Sequence, residues 1–134
     1  MRHAMHLSAV ALLLVLVPAC DEDSTAPGGP AVDCGADVTE VDVTITTTAD
    51  DVTFDWSPRC RVSYLGVEAG AGDRWWIGVE DENLIEPPVR YGETPDGVPA
   101  ETALPLEDGE TYEVILWLST PAGDRLVAVE EFQR

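Results

Sequence analysis

Residues 52–58 read Val52-Thr53-Phe54-Asp55-Trp56-Ser57-Pro58, and this stretch decides the fold. Val52, Phe54 and Trp56 alternate with Thr53, Asp55 and Ser57. A side-chain period of two places the three apolar groups on one face of a strand, and Pro58 stops it. The pattern spreads in both directions. Upstream, Val41, Val43 and Ile45 alternate with Asp42, Thr44 and Thr46, and Ala49-Asp50-Asp51 supplies the turn. Downstream, Val62 to Glu68 reads as a third strand and Arg74 to Glu80 as a fourth, with a turn at Gly70 to Asp73. Asp81 to Pro105 is the least regular part. It holds Pro87, Pro88, Pro95, Pro99 and Pro105, and leaves room only for a short edge strand near Val89 to Tyr91. Order returns at Thr111. Tyr112, Val114, Leu116 and Leu118 share one face of a long strand, with Ile115 and Trp117 on the other. Thr120 to Asp124 is a hairpin connection, and Arg125 to Phe132 the last strand. Seven short strands in about 100 residues, with no helical period, predict an all-β, antiparallel two-sheet sandwich.

The chain before this domain has a different character. Arg2 precedes an almost wholly apolar run from Leu7 to Val17, then Pro18-Ala19-Cys20. The run reads as the helix of a signal peptide, since spanning a membrane takes about 20 apolar residues. Val17 and Ala19 suit cleavage by an ordinary signal peptidase. Val17-Pro18-Ala19-Cys20 also resembles the lipobox of bacterial lipoproteins. That resemblance implies residues 1–19 as a removed signal peptide and an acyl (palmitate-type) anchor on Cys20. It implies the cell membrane or outer membrane as location, facing periplasm or exterior. Residues 20–33, acidic and then rich in Pro and Gly, read as a flexible tether. Residues 34–134 are the folded domain.

Charge excludes several functions. The sequence has 26 Asp and Glu against seven basic residues, all of them Arg. Loss of the leader removes Arg2 and no acid, leaving a formal charge of −20. A basic surface for nucleic acid is absent. Both histidines, His3 and His6, also lie in the leader. The mature chain therefore lacks the imidazole and lysine chemistry of most triads, Schiff bases and zinc sites. No cofactor, metal site or catalytic residue is expected.

Two motifs inside the domain resemble the fibronectin type III family. Val52 to Pro58 is similar to that family's second strand, whose tryptophan sits in the core. Leu106-Glu107-Asp108-Gly109-Glu110-Thr111-Tyr112-Glu113-Val114 is similar to its Leu-x-x-Gly-x-x-Tyr-x-Val signature. The resemblance covers roughly residues 36–133 and implies an immunoglobulin-like sandwich. It gives Tyr112 the role of a structural corner, with its hydroxyl bonded backward to the chain.

The three cysteines fit both readings. Lipidation of Cys20 leaves Cys34 and Cys60. If the first strand runs up and the second down, the start of one and the end of the other share a pole. A Cys34–Cys60 disulfide there closes a loop of about 26 residues and stabilises by about 3.5 kcal/mol on the chain-entropy model.

Candidate sites are few. Trp75 and Trp76 point to opposite faces, so one could stack on a sugar ring or an apolar partner. The plainer reading puts one in the core and the other half under the Pro87-Pro88 loop. Pro87 to Gly92, with Arg90 and Tyr91, carries residue types that anchor interfaces, and could equally be a cover for a sheet edge. The acidic clusters read as solvated surface, since none has the alternating loop of a calcium site. A sandwich of this size is expected to offer no obvious cleft for paired catalytic carboxylates.

The favoured function is a lipid-anchored, non-catalytic protein-interaction or structural module with an envelope protein partner. A carbohydrate-binding module using Trp75 or Trp76 on a polysaccharide is the alternative, and an envelope hydrolase the third reading. If Cys20 carries the anchor, Cys20→Ser moves the protein from the membrane fraction to the soluble fraction on ultracentrifugation. Retention of the variant in the membrane fraction contradicts the anchor.

Overall fold

The computed structural model describes residues 30–70 and 72–134. The expected signal peptide and its helix, Cys20, and the expected tether through residue 29 lie outside the described residues. The described part is all-β. Its strands are β1 (Val32–Asp33), β2 (Asp42–Thr47), β3 (Val52–Ser57), β4 (Cys60–Arg61), β5 (Tyr64–Ala69), β6 (Gly72–Gly78), β7 (Val89–Arg90), β8 (Thr111–Thr120) and β9 (Gly123–Gln133). Two antiparallel sheets carry the core. One has the order β2-β3-β7 and the other β6-β5-β8-β9. A third, two-stranded pairing joins β1 to β4 in parallel.

The period-two reading explains how the sheets pack. Val52, Phe54 and Trp56 of β3 are all buried, as are Tyr112, Val114, Leu116 and Leu118 of β8. They meet in one core together with Leu65, Val67, Trp75, Ile77 and Phe132. Phe132 bridges the layers. Its ring lies 5.6 Å from Phe54 edge-on and 5.6 Å from Tyr112. Edge-to-face aromatic pairs add about 0.5–1.5 kcal/mol beyond the area they bury. Trp56 keeps its one donor satisfied inside this core, because its indole N–H donates to the Cys60 carbonyl at 2.8 Å.

The structure departs from the sequence reading in three places. Order begins earlier than the expected tether boundary: Ala31 is buried and Val32 pairs with Cys60. The Cys34–Cys60 disulfide fastens the same place, with Cα atoms 4.9 Å apart. Its effect is to tie the domain's entry segment to β4, just beyond the end of β3. Second, the irregular stretch contributes to the core through Ile85, which is fully buried and bridges to Val62. Third, the loop of residues 87–92 lines the edge of β3 through β7, and a second sheet edge, that of β6, has a cover of its own without any strand pattern. Residues 99–104 run along β6, with backbone bonds between Gly78 and Pro99, Glu101 and Trp76, and Leu104 and Arg74. These bonds occupy a row of groups that an open edge strand would leave unpaired.

Arg59 fixes the Pro87 loop from below. It is nearly buried, pairs with Asp55 at 2.9 Å, and donates to the Pro87 carbonyl. At the opposite pole, the Glu107 N–H donates to the Tyr112 hydroxyl at 2.7 Å. That bond spans five residues and ties the 106–110 turn to the start of β8. Tyr112→Phe keeps the ring and removes the acceptor. It should lower unfolding stability by about 1–2 kcal/mol in urea titration, the usual cost of orphaning a polar group. A change within error contradicts the tie.

Candidate functional site

The inner face of the four-stranded sheet is core, so the pleat commits its alternate residues to the outer face. Strand register shows which of these residues become neighbours. Across one row, Gly78, Tyr64, Trp117 and Leu126 lie side by side. The next row holds Trp76, Gly66, Ile115 and Val129. Leu126 is 44% exposed and Val129 45%, while Tyr64, Trp76, Ile115 and Trp117 are half-buried. Six aromatic or aliphatic side chains therefore form one patch, drawn from four strands.

Two glycines shape it. A Cβ on Gly66 would lie 2.8 Å from the Tyr64 ring. The missing side chain lets that ring lie down across the sheet, where it stacks near-parallel on Trp76 at 6.1 Å. Gly78 has φ of 147°, and a Cβ there would meet the Ser63 carbonyl at 2.4 Å. A side chain at this position is excluded both by conformation and by space. The result is a cleft of about 560 Å³ bordered by Tyr64, Trp76 and Trp117, with Glu68, Glu80 and Asp124 at its margins. This volume is in the range of small-ligand sites. It corrects the expectation of a sandwich without a cleft.

A third row on the same face has another character. Asp73, Glu68, Glu113 and Glu131 are register neighbours across all four strands. Among the described residues none of the four meets an arginine in an ion pair. The field of these acids reaches the aromatic cleft. Burial first, and then the charges of Asp73, Glu68 and Glu101, raise the Tyr64 hydroxyl above its ordinary pKa.

The residues singled out from sequence fall in different places. Trp75 is 1% exposed and packs edge-on against Tyr91 at 5.1 Å. It is a core residue and cannot stack on a ligand. Its neighbour Trp76 faces outward beside Tyr64 and Trp117, away from Pro87, which is itself buried against Arg59. Arg90 and Tyr91 are not brought to the cleft. Arg90 pairs with Asp51 at 2.7 Å and Glu93 at 3.0 Å, and its hydrogen bond holds the Asp51 carboxyl below the ordinary range. The Tyr91 hydroxyl donates to the Leu104 carbonyl at 2.7 Å, and burial pushes its pKa up to about 12. Both serve the chain's own architecture. Tyr64 and Trp117 were not recognised as site residues from sequence. Alternation along β8 puts Trp117 opposite the core face, but its meeting with Tyr64 requires the pairing of β5 with β8.

Among the described residues no three Cys, His, Asp or Glu side chains group closely enough to hold a metal ion. No protein-family model, curated protein or solved structure matches this chain. What the chain does is therefore argued from the outer face itself.

Proposed function

We propose that this chain is a bacterial lipoprotein, anchored through an acyl group on Cys20, that displays a non-catalytic binding domain at the cell envelope. The domain is read as an immunoglobulin-like sandwich of the fibronectin type III kind. Support for that reading comes from the division of seven strands into three and four. The chain passes between the two sheets after β3, after β6 and after β7, as such sandwiches do. The buried Trp56 and the Tyr112 bond fit the same kinship.

The observation that carries the binding function is the outer aromatic face. Exposed apolar side chains scattered singly need no explanation, but a contiguous patch rimmed by polar groups marks an interaction surface. Here Trp76, Tyr64, Trp117, Ile115, Leu126 and Val129 are contiguous. Tryptophan and tyrosine bury large areas with few rotatable bonds, so they anchor protein interfaces efficiently. The partner is an envelope protein held against this face. The polysaccharide reading draws on the same three aromatics, since a sugar ring stacks on a flat indole.

A photoreactive benzophenone amino acid in place of Val129 tests the face in living cells. Mass spectrometry should identify one protein adduct from this position, and none from the same group in place of Thr44, on the outside of the other sheet. Equal adducts from both positions contradict the assignment.

A further inference from the structure

We propose that the outer face of the four-stranded sheet recognises a basic polypeptide segment, with an arginine side chain of the partner lying on Trp76 and Tyr64 in the cleft. The proposal rests on the reading of this face as a binding surface and adds the chemistry of its occupant.

Three observations lead there. The cleft joins a flat π surface to carboxylates: Tyr64, Trp76 and Trp117 stand beside Glu68, Glu80 and Asp124. A cation over an indole face is attracted by the ring's quadrupole, and a nearby carboxylate adds to that attraction. No arginine lines the cleft. Of its two hydroxyl groups, those of Ser63 and Tyr64, the first is already committed to the Trp117 carbonyl at 3.0 Å. The lining thus combines three carboxylates and three π faces with no cationic side chain, which suits a positively charged group rich in donors. A guanidinium is such a group, planar and always charged.

The second observation is the acid row. Like charges directly opposite each other on a sheet destabilise it. Asp73, Glu68, Glu113 and Glu131 repeat that arrangement across four strands with no arginine among the described residues to relieve it. Further basic side chains of a bound segment would supply the missing counter-charge.

Third, five of the six arginines in the described residues are spent elsewhere, and the sixth, Arg74, forms no ion pair with the acid row although it adjoins Asp73 in β6. Arg59, Arg61, Arg90 and Arg134 pair with acids away from this face, and Arg125 donates to the Ala36 and Val38 carbonyls. The net charge of −20 without the leader would steer a basic partner toward the domain and repel an anionic polymer.

The test is a tryptophan-fluorescence titration of the full mature chain in phosphatidylcholine nanodiscs. Three probes are used: a hexa-arginine peptide, the isosteric hexa-citrulline peptide and cellohexaose. Hexa-arginine should shift the emission and bind at least about tenfold more tightly than hexa-citrulline, with affinity falling as salt rises. Trp76→Ala, which leaves the net charge intact, should weaken hexa-arginine binding by about tenfold, and Trp76→Phe by about threefold or less. The paired change Glu68→Gln and Glu80→Gln should weaken it comparably while retaining the aromatic surface. Equal binding of hexa-citrulline, or tighter binding of cellohexaose with the same Trp76 dependence, overturns the cationic occupant but leaves the face a binding surface. Hexa-arginine binding that ignores Trp76→Ala is diffuse attraction to the acids and also overturns the proposal. Failure of the face as a whole shows separately, as loss of position dependence in the Val129 crosslink.

Discussion

One constraint governs this molecule: the pleat of β8, which sits between β5 and β9 and gives its alternate residues to opposite solvents. Tyr112, Val114, Leu116 and Leu118 must all enter the core because they share a period of two. Once they do, Ile115 and Trp117 have no choice but the outer face. A slip of one residue would exchange the two sets and place Glu113 in the core. The aromatic patch outside and the packed core inside are therefore two consequences of one register. Phe132 and Phe54 then close the second sheet over the first.

The distribution of charge follows from a shortage of cations. Five of the six arginines in the described residues are engaged in holding segments of this chain together. Arg61 joins the disulfide-bound pole to Glu86 and Asp33, Arg90 joins β7 to Asp51, and Arg134 closes the far end on Asp108 and the Thr48–Ala49 turn. Each exposed pair contributes little by itself. Their consequence is that the acids of the outer sheet face remain without counter-charge, next to the most aromatic part of the surface. Solubility alone asks for acids somewhere on the surface; it does not explain four of them in register beside two tryptophans and a tyrosine.

Much of the fold was legible because alternation is a local property. The strands around Val43, Phe54, Val67, Trp76, Val114 and Val127 stand where the period-two pattern puts them, with ends displaced by a few residues. What the pattern could not give was long-range. Alternation sets Trp75 and Trp76 on opposite faces of β6. The inward one is chosen by the register of β6 on β5, which shifts at Val67 and Glu68. The cover on β6 comes from residues 99–104, a segment without any strand pattern, held by backbone bonds that ignore side-chain identity. Tyr64 and Trp117 are 53 positions apart in the chain, and only the β5–β8 pairing makes them one site. Arg90 and Tyr91 drew notice by residue type, yet bonds to Asp51, Glu93 and Leu104 turn both inward to the domain's own support.

The central claim is that two tryptophans belong to an open face and two to the core. The direct measurement is the NMR spectrum of the four indole N–H groups in the presence of a soluble nitroxide radical. The signals of Trp76 and Trp117 should broaden strongly, while those of Trp56, bonded to the Cys60 carbonyl, and Trp75 stay sharp. Protection of Trp76 and Trp117, or broadening of Trp75, would contradict the account of the face and of everything assigned to it.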